Sequence, residues 1–108
     1  MKQWTKIVNI GGEFSKFPGG RFLSDGPFSG ERFRTKYAKV IKENDKVVFQ
    51  LDYTAGYGSS FLEEAFGGLV RDEKLTAEEL HRKIDFETDD DSLIGEIWEY
   101  IDNAGTPD

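Results

Sequence analysis

A nearly continuous apolar run, Val47-Val-Phe-Gln-Leu51, leads through Gly56-Tyr-Gly-Ser-Ser60 into a second pattern: Phe61, Leu62, Ala65, Phe66, Leu69 and Val70. The second pattern recurs at helical spacing, so it predicts a helix with one buried side. The first does not alternate, which predicts a central strand covered on both faces. The glycines and the serine pair between them predict a turn and a helix N-terminus, with Ser59 or Ser60 as the cap. A strand that gives way to a helix cannot form a hairpin with the next strand and needs a crossover to a parallel neighbour. No other feature of the chain restricts the fold as strongly.

Similar units flank it. Thr5-Lys-Ile-Val-Asn-Ile10, ended by Gly11-Gly12, predicts a first strand. Residues 14–26 are irregular, with a turn at Pro18-Gly-Gly20 and Arg21-Phe-Leu23 as a short second strand. Phe33, Tyr37, Val40 and Ile41 mark a helix capped by Ser29 or Asp25 and ending near Asn44. Thr76-Ala-Glu-Glu79 is a capping box before a short helix. Lys83-Ile-Asp-Phe-Glu87 alternates as an outer strand. Asp89-Asp-Asp91 and Ser92 begin a last helix whose buried side is Leu93, Ile94, Ile97, Trp98 and Ile101, and the chain frays over 105–108. The expected architecture is one α/β domain over residues 1–108, a small sandwich with a mixed or parallel sheet of about four strands and helices after the strands.

Nine Phe and 37% apolar residues supply a core for a 108-residue domain. The absence of cysteine excludes disulfides, thiolate metal sites and cysteine nucleophiles. The first residues lack the apolar segment of a signal peptide and no run matches a membrane span, so a cytoplasmic protein with no membrane partner is expected. Residues 1–50 carry ten Lys/Arg against five Asp/Glu, whereas 51–108 carry four against sixteen. The net charge of −7 disfavours nucleic acid as a partner. Arg32, Arg34, Lys36, Lys39 and Lys42 read as a solvated basic face of the first helix.

Three constellations compete for function. A serine at a helix N-terminus lies beside unpaired N–H groups and the positive end of the helix dipole, where a phosphate is stabilised, which makes Ser59 and Ser60 phosphorylation candidates. The plain alternative is a serine that only caps. The glycine-rich loop 15–31 carries Arg21, which could clamp an anion, but has no P-loop spacing; its plain alternative is a surface loop whose Phe17, Phe22 and Phe28 plug the core. Glu63 and Glu64, one turn after the serines, read as an exposed helix face or as groups that repel a second anion. Catalytic chemistry lacks support: Gly58-Ser-Ser-Phe-Leu is not a hydrolase elbow, and the single histidine, His81, reads as a surface residue. The Asp89–Asp91 run reads as a solvated helix start without a calcium-loop frame, and Trp4 and Trp98 as packing or edge residues.

The segments Phe14-Ser-Lys-Phe-Pro-Gly-Gly-Arg21, Asp25-Gly-Pro-Phe-Ser-Gly-Glu-Arg-Phe-Arg34, Val47-Val-Phe-Gln-Leu-Asp52 and Gly58-Ser-Ser-Phe-Leu-Glu-Glu-Ala-Phe-Gly-Gly-Leu-Val70 together resemble the bacterial STAS-like domain family of unknown function. The resemblance covers most of residues 14–71 and implies kinship with STAS domains, the fold of anti-sigma-factor antagonists. It also implies that Ser59 aligns with the serine those antagonists offer to a serine-kinase-like ATPase. Gly58 stands where they have aspartate and Phe61 where they have glycine. The expectation is a non-enzymatic regulatory module without catalytic, metal or cofactor groups, which binds a protein partner such as that ATPase. Its partner surface is expected to be Gly19, Gly20, Arg21, Ser29, Gly30, Glu31, Tyr57, Gly58, Glu63 and Glu64. The competing expectation is a small anionic-ligand or nucleotide site formed by the Arg21 loop and the start of the second helix.

Overall fold

The structure, a computed structural model, describes residues 4–104. The fraying expected over 105–108 lies outside that range, as do residues 1–3. Three strands, β1 (Thr5–Asn9), β2 (Lys46–Gln50) and β3 (Ile84–Glu87), form a wholly parallel sheet in the order β1-β2-β3. Val8, Phe49 and Phe86 stand in register across it. Between β1 and β2 runs α1 (Gly30–Glu43), for which Ser29 is the cap, its Oγ accepting from the Arg32 N–H at 3.2 Å. Asp25 instead closes a short turn upstream by accepting from the Arg21 and Phe22 N–H groups. Residues 21–23, read as a strand, belong to that turn, which leaves three strands in the described sheet.

After β2 comes α2, residues 59–72, in which Ser59–Leu62, Glu63–Gly67 and Gly68–Asp72 run on in helical conformation. Its middle piece is a π-turn, with the Gly68 N–H bonded to the Glu63 carbonyl five residues back. The short helix α3 (Ala77–Lys83) has the expected capping box between Thr76 and Glu79. The last helix, α4 (Asp91–Asn103), is capped by Asp90.

One face of the sheet carries the core. Val8, Val47, Phe49 and Ile84 are buried there against Phe33, Tyr37 and Ile41 of α1, Phe61, Phe66 and Leu69 of α2, and Ile97 and Ile101 of α4. Phe33 is the hub, with the rings of Phe14, Tyr37, Phe49, Phe61 and Phe66 between 4.5 and 5.8 Å from its own. Full burial of each such side chain is worth roughly 1.5–3 kcal/mol. The opposite face is open: Ile7 is 56% exposed, Val48 half-buried and Asp85 exposed. The expectation that β2 is covered on both faces is therefore corrected. Only Val47 and Phe49 of β2 are buried, alternately, as in a two-layer sandwich.

Two close backbone approaches set the geometry of the site. A Cβ on Gly30 would stand 2.6 Å from the Phe61 carbonyl oxygen, so glycine lets the start of α1 touch α2. A Cβ on Gly11 would stand 2.1 Å from the Tyr53 carbonyl oxygen, so the loops after β1 and β2 meet backbone to backbone.

Candidate functional site

The serine turn lies where β2 hands over to α2. Gly58, not a serine, is the N-cap; it offers no side chain, and Ser59 and Ser60 occupy the first helical turn. The expected capping role is thus corrected. Both serines are exposed. The turn is anchored behind them by Tyr57, half-buried, whose hydroxyl donates to the Leu51 carbonyl at 2.7 Å while its ring lies against Phe61. A helix start without a side-chain cap keeps its first N–H groups available to an acceptor.

One turn further, the glycine-rich loop meets α2. Arg21 Nη1 donates to Glu63 Oε1 at 2.6 Å and to Glu64 Oε1 at 3.4 Å. Arg71 donates to both Glu63 oxygens, so Glu63 lies between two guanidinium groups. From α1, Arg34 donates to Glu64, to Asp72 at 3.3 Å and to Glu73 at 3.0 Å. Arg34 and Glu64 are 9% and 4% exposed, which makes this the buried part of the cluster. Burial by itself raises the Glu63 pKa, but the hydrogen bonds from Arg71 and Arg21 outweigh it and hold the carboxyl below its ordinary value.

The sequence-derived surface is therefore partly assembled. Arg21 reaches Glu63 and Glu64, the Gly20 carbonyl accepts from the Gly30 N–H, and the Arg21 carbonyl accepts from the Glu31 N–H, whose side chain in turn accepts from Leu23. Gly19 is tied to the Phe28 carbonyl, and Ser29 and Gly30 are buried in the contact with α2. Glu63 and Glu64 do not form an exposed face, because Arg34 reaches across from α1 and the loop covers them with Arg21. The loop phenylalanines do not plug the core: Phe17, Phe22 and Phe28 are 74%, 49% and 39% exposed, and Phe14 makes the core contact instead.

Arg34 and Arg71 were not separable from ordinary surface cations by composition. One signal for Arg34 was present: Gly30, Ala38 and Ile41 stand four residues before, four after and seven after it, all on a buried stripe. His81 is more engaged than a free surface residue, stacked on Trp98 at 4.0 Å and bonded through Nε2 to Asp102 at 2.7 Å. Trp98 packs as expected, whereas Trp4 is 63% exposed at the sheet's edge. Among the described residues no group of three His, Asp or Glu side chains is disposed to hold a metal ion, and no helix is long and apolar enough to cross a membrane.

A family model described as a STAS-like domain of unknown function matches residues 29–93. The chain belongs to that family. The matched segment of this STAS-like domain opens at the α1 cap Ser29, passes through β2, the serine turn, the arginine–glutamate cluster and β3, and stops in the first turn of α4. The Phe14–Arg21 loop precedes it. No curated protein and no solved structure matches the chain.

Proposed function

We propose that this STAS-like domain is a non-enzymatic regulatory module that binds a protein partner and is switched by phosphorylation of Ser59 or Ser60. The observation that carries the reading is the exposure of both hydroxyls on the first turn of a long helix whose cap, Gly58, has no side chain. A phosphate there gains the free N–H groups and the positive helix end, and adds about two negative charges one turn before Glu63 and Glu64. The single histidine is engaged by Asp102 and Trp98, so the serines have no neighbouring imidazole base, which favours a modified hydroxyl over a nucleophilic one. The anionic-ligand reading receives less support, because the Arg21 guanidinium is already bonded to Glu63 and Glu64.

The test is incubation with a serine-kinase-like ATPase and ATP, read by intact mass and by co-elution. One added phosphoryl group, absent from the S59A/S60A double variant, is the expected result. A chain that gains no mass and forms no complex overturns the reading.

A further inference from the structure

Seven large apolar side chains are exposed among the described residues, and five of them, Phe17, Phe22, Leu23, Phe28 and Tyr53, lie in the two loops that follow β1 and β2. These loops are joined: the Ala55 N–H donates to the Lys16 carbonyl at 2.8 Å, and Gly11 packs against the Tyr53 backbone. Tyr53 is 74% exposed and sits at φ 73°, a left-handed conformation unusual for a side-chain-bearing residue. The contact with Gly11 holds its backbone while the ring projects into solvent.

Two grooves open beside Tyr53, of about 370 and 500 Å³, at the carboxyl ends of β2 and β3. The first is walled by Asp52, Asp90 and Glu96 and the second by Asp52, Glu87, Asp89 and Asp91, and no Lys, Arg or His lines either. None of these carboxylates has a cationic partner among the described residues: Asp52 accepts from Thr88, Glu87 from Gln50, Asp90 from Ser92 and Glu96 from Tyr100. The cations that do pair with acids, Arg21, Arg34, Arg71, Lys46 and His81, do so elsewhere. Clefts lined by one sign of charge focus their field and concentrate ligands of the opposite sign. An exposed aromatic ring between two such clefts suits an arginine side chain, which stacks on the ring and keeps its donors for the carboxylates.

We infer that the aromatic end of the molecule around Tyr53 is a docking surface for a basic, arginine-bearing segment of a protein partner. This rests on the reading of the domain as a protein-interaction module and names the chemistry of the partner. The exposed Tyr53 ring supplies the apolar contact, and the two acid-walled grooves on either side supply the charge complementarity. A second copy of this chain fits less well, since each copy carries a net charge of −7.

The full chain is titrated with two short fluorescein-labelled peptides, one of arginine and leucine and one of glutamate and leucine, with anisotropy as the readout. The arginine peptide binds and the glutamate peptide does not. Tyr53→Ser, and separately the D52N/D89N/D91N variant, weaken binding roughly tenfold or more, on the scale of one desolvated cation–π contact, whereas Glu43→Gln on the far end of α1 leaves it unchanged. Amide shifts of the unaltered chain map the same contact to Tyr53, Asp52 and Asp89 even where a variant folds poorly. Equal binding of both peptides, equal losses in Glu43→Gln, or shifts spread over the whole acidic surface overturn the inference. So does sedimentation of the chain as a dimer that the arginine peptide cannot dissociate. Retention of peptide binding in S59A/S60A separates this outcome from that of the phosphorylation test.

Discussion

Arg34 and Glu64 are the residues on which burial and charge conflict most directly. Each is almost wholly removed from water, and the guanidinium is further bonded to Asp72 and Glu73. Desolvating two such groups costs several kcal/mol apiece, which their mutual attraction offsets only while both are present. Arg34→Met and Glu64→Leu should each destabilise the fold by about 1.5–3 kcal/mol, the scale of a lost charge-assisted hydrogen bond, because Glu64 then keeps only the longer contacts of Arg21 and Arg71, and Arg34 keeps Asp72 and Glu73. The double variant should recover most of that loss, since methionine and leucine fill the same space without charge. Urea unfolding of the four proteins measures the coupling, and a double variant as unstable as the sum of the two singles would show that the pair does not act as a unit.

At the scale of elements, the contact between α1 and α2 depends on Gly30. Alanine there gains up to about 1 kcal/mol of helix propensity. The new Cβ would meet the Phe61 carbonyl at 2.6 Å and the Glu64 Cβ at 2.8 Å, and a backbone carbonyl cannot rotate away. Overpacking of this kind costs about 1–3 kcal/mol, so Gly30→Ala should lower the melting temperature, while Gly95→Ala in α4, whose Cβ meets nothing within 4 Å, should raise it. A rise in both would contradict the close contact. The elements themselves were legible because helical stripes and capping residues are local signals: Ser29, Thr76 and Asp90 each cap a helix. The π-turn in α2 was not, because it leaves the apolar stripe Phe61, Leu62, Ala65, Phe66 and Leu69 intact. Nor was the open face of the sheet, since Val48 and Val47 are chemically identical and only the packing of the helices decides which is covered. Of the candidate site, Arg21 and the serine turn could be singled out as residues, but their carboxylate and backbone partners depended on how α1, α2 and the loop came together.

At the scale of the whole molecule, the charge asymmetry along the chain leaves two sets of ions without partners of opposite sign. The exposed cations of α1, Arg32, Lys36, Lys39 and Lys42, have no ion-pair partner among the described residues, and neither do the acids around Tyr53. The opposite charges that do meet are concentrated in the cluster where Arg21, Arg34 and Arg71 converge on Glu63 and Glu64. Its response to acid has a definite sign. Glu63 is held below its ordinary value of 4.5 in the folded chain, so its contribution to stability is complete above that value and is lost as pH falls through the lower folded one. The arginines stay charged throughout, and protonating Glu63 leaves the Arg21 and Arg71 guanidinium groups without the carboxylate charge between them. Unfolding free energy measured in urea should fall with pH below about 4.5, steeply because the unfolded chain then binds protons that the folded one resists. Glu63→Gln should be less stable at neutral pH yet show a shallower acid limb, the two curves drawing together as pH is lowered. Curves that stay parallel down to the acid transition would place the proton-sensitive contact somewhere other than Glu63.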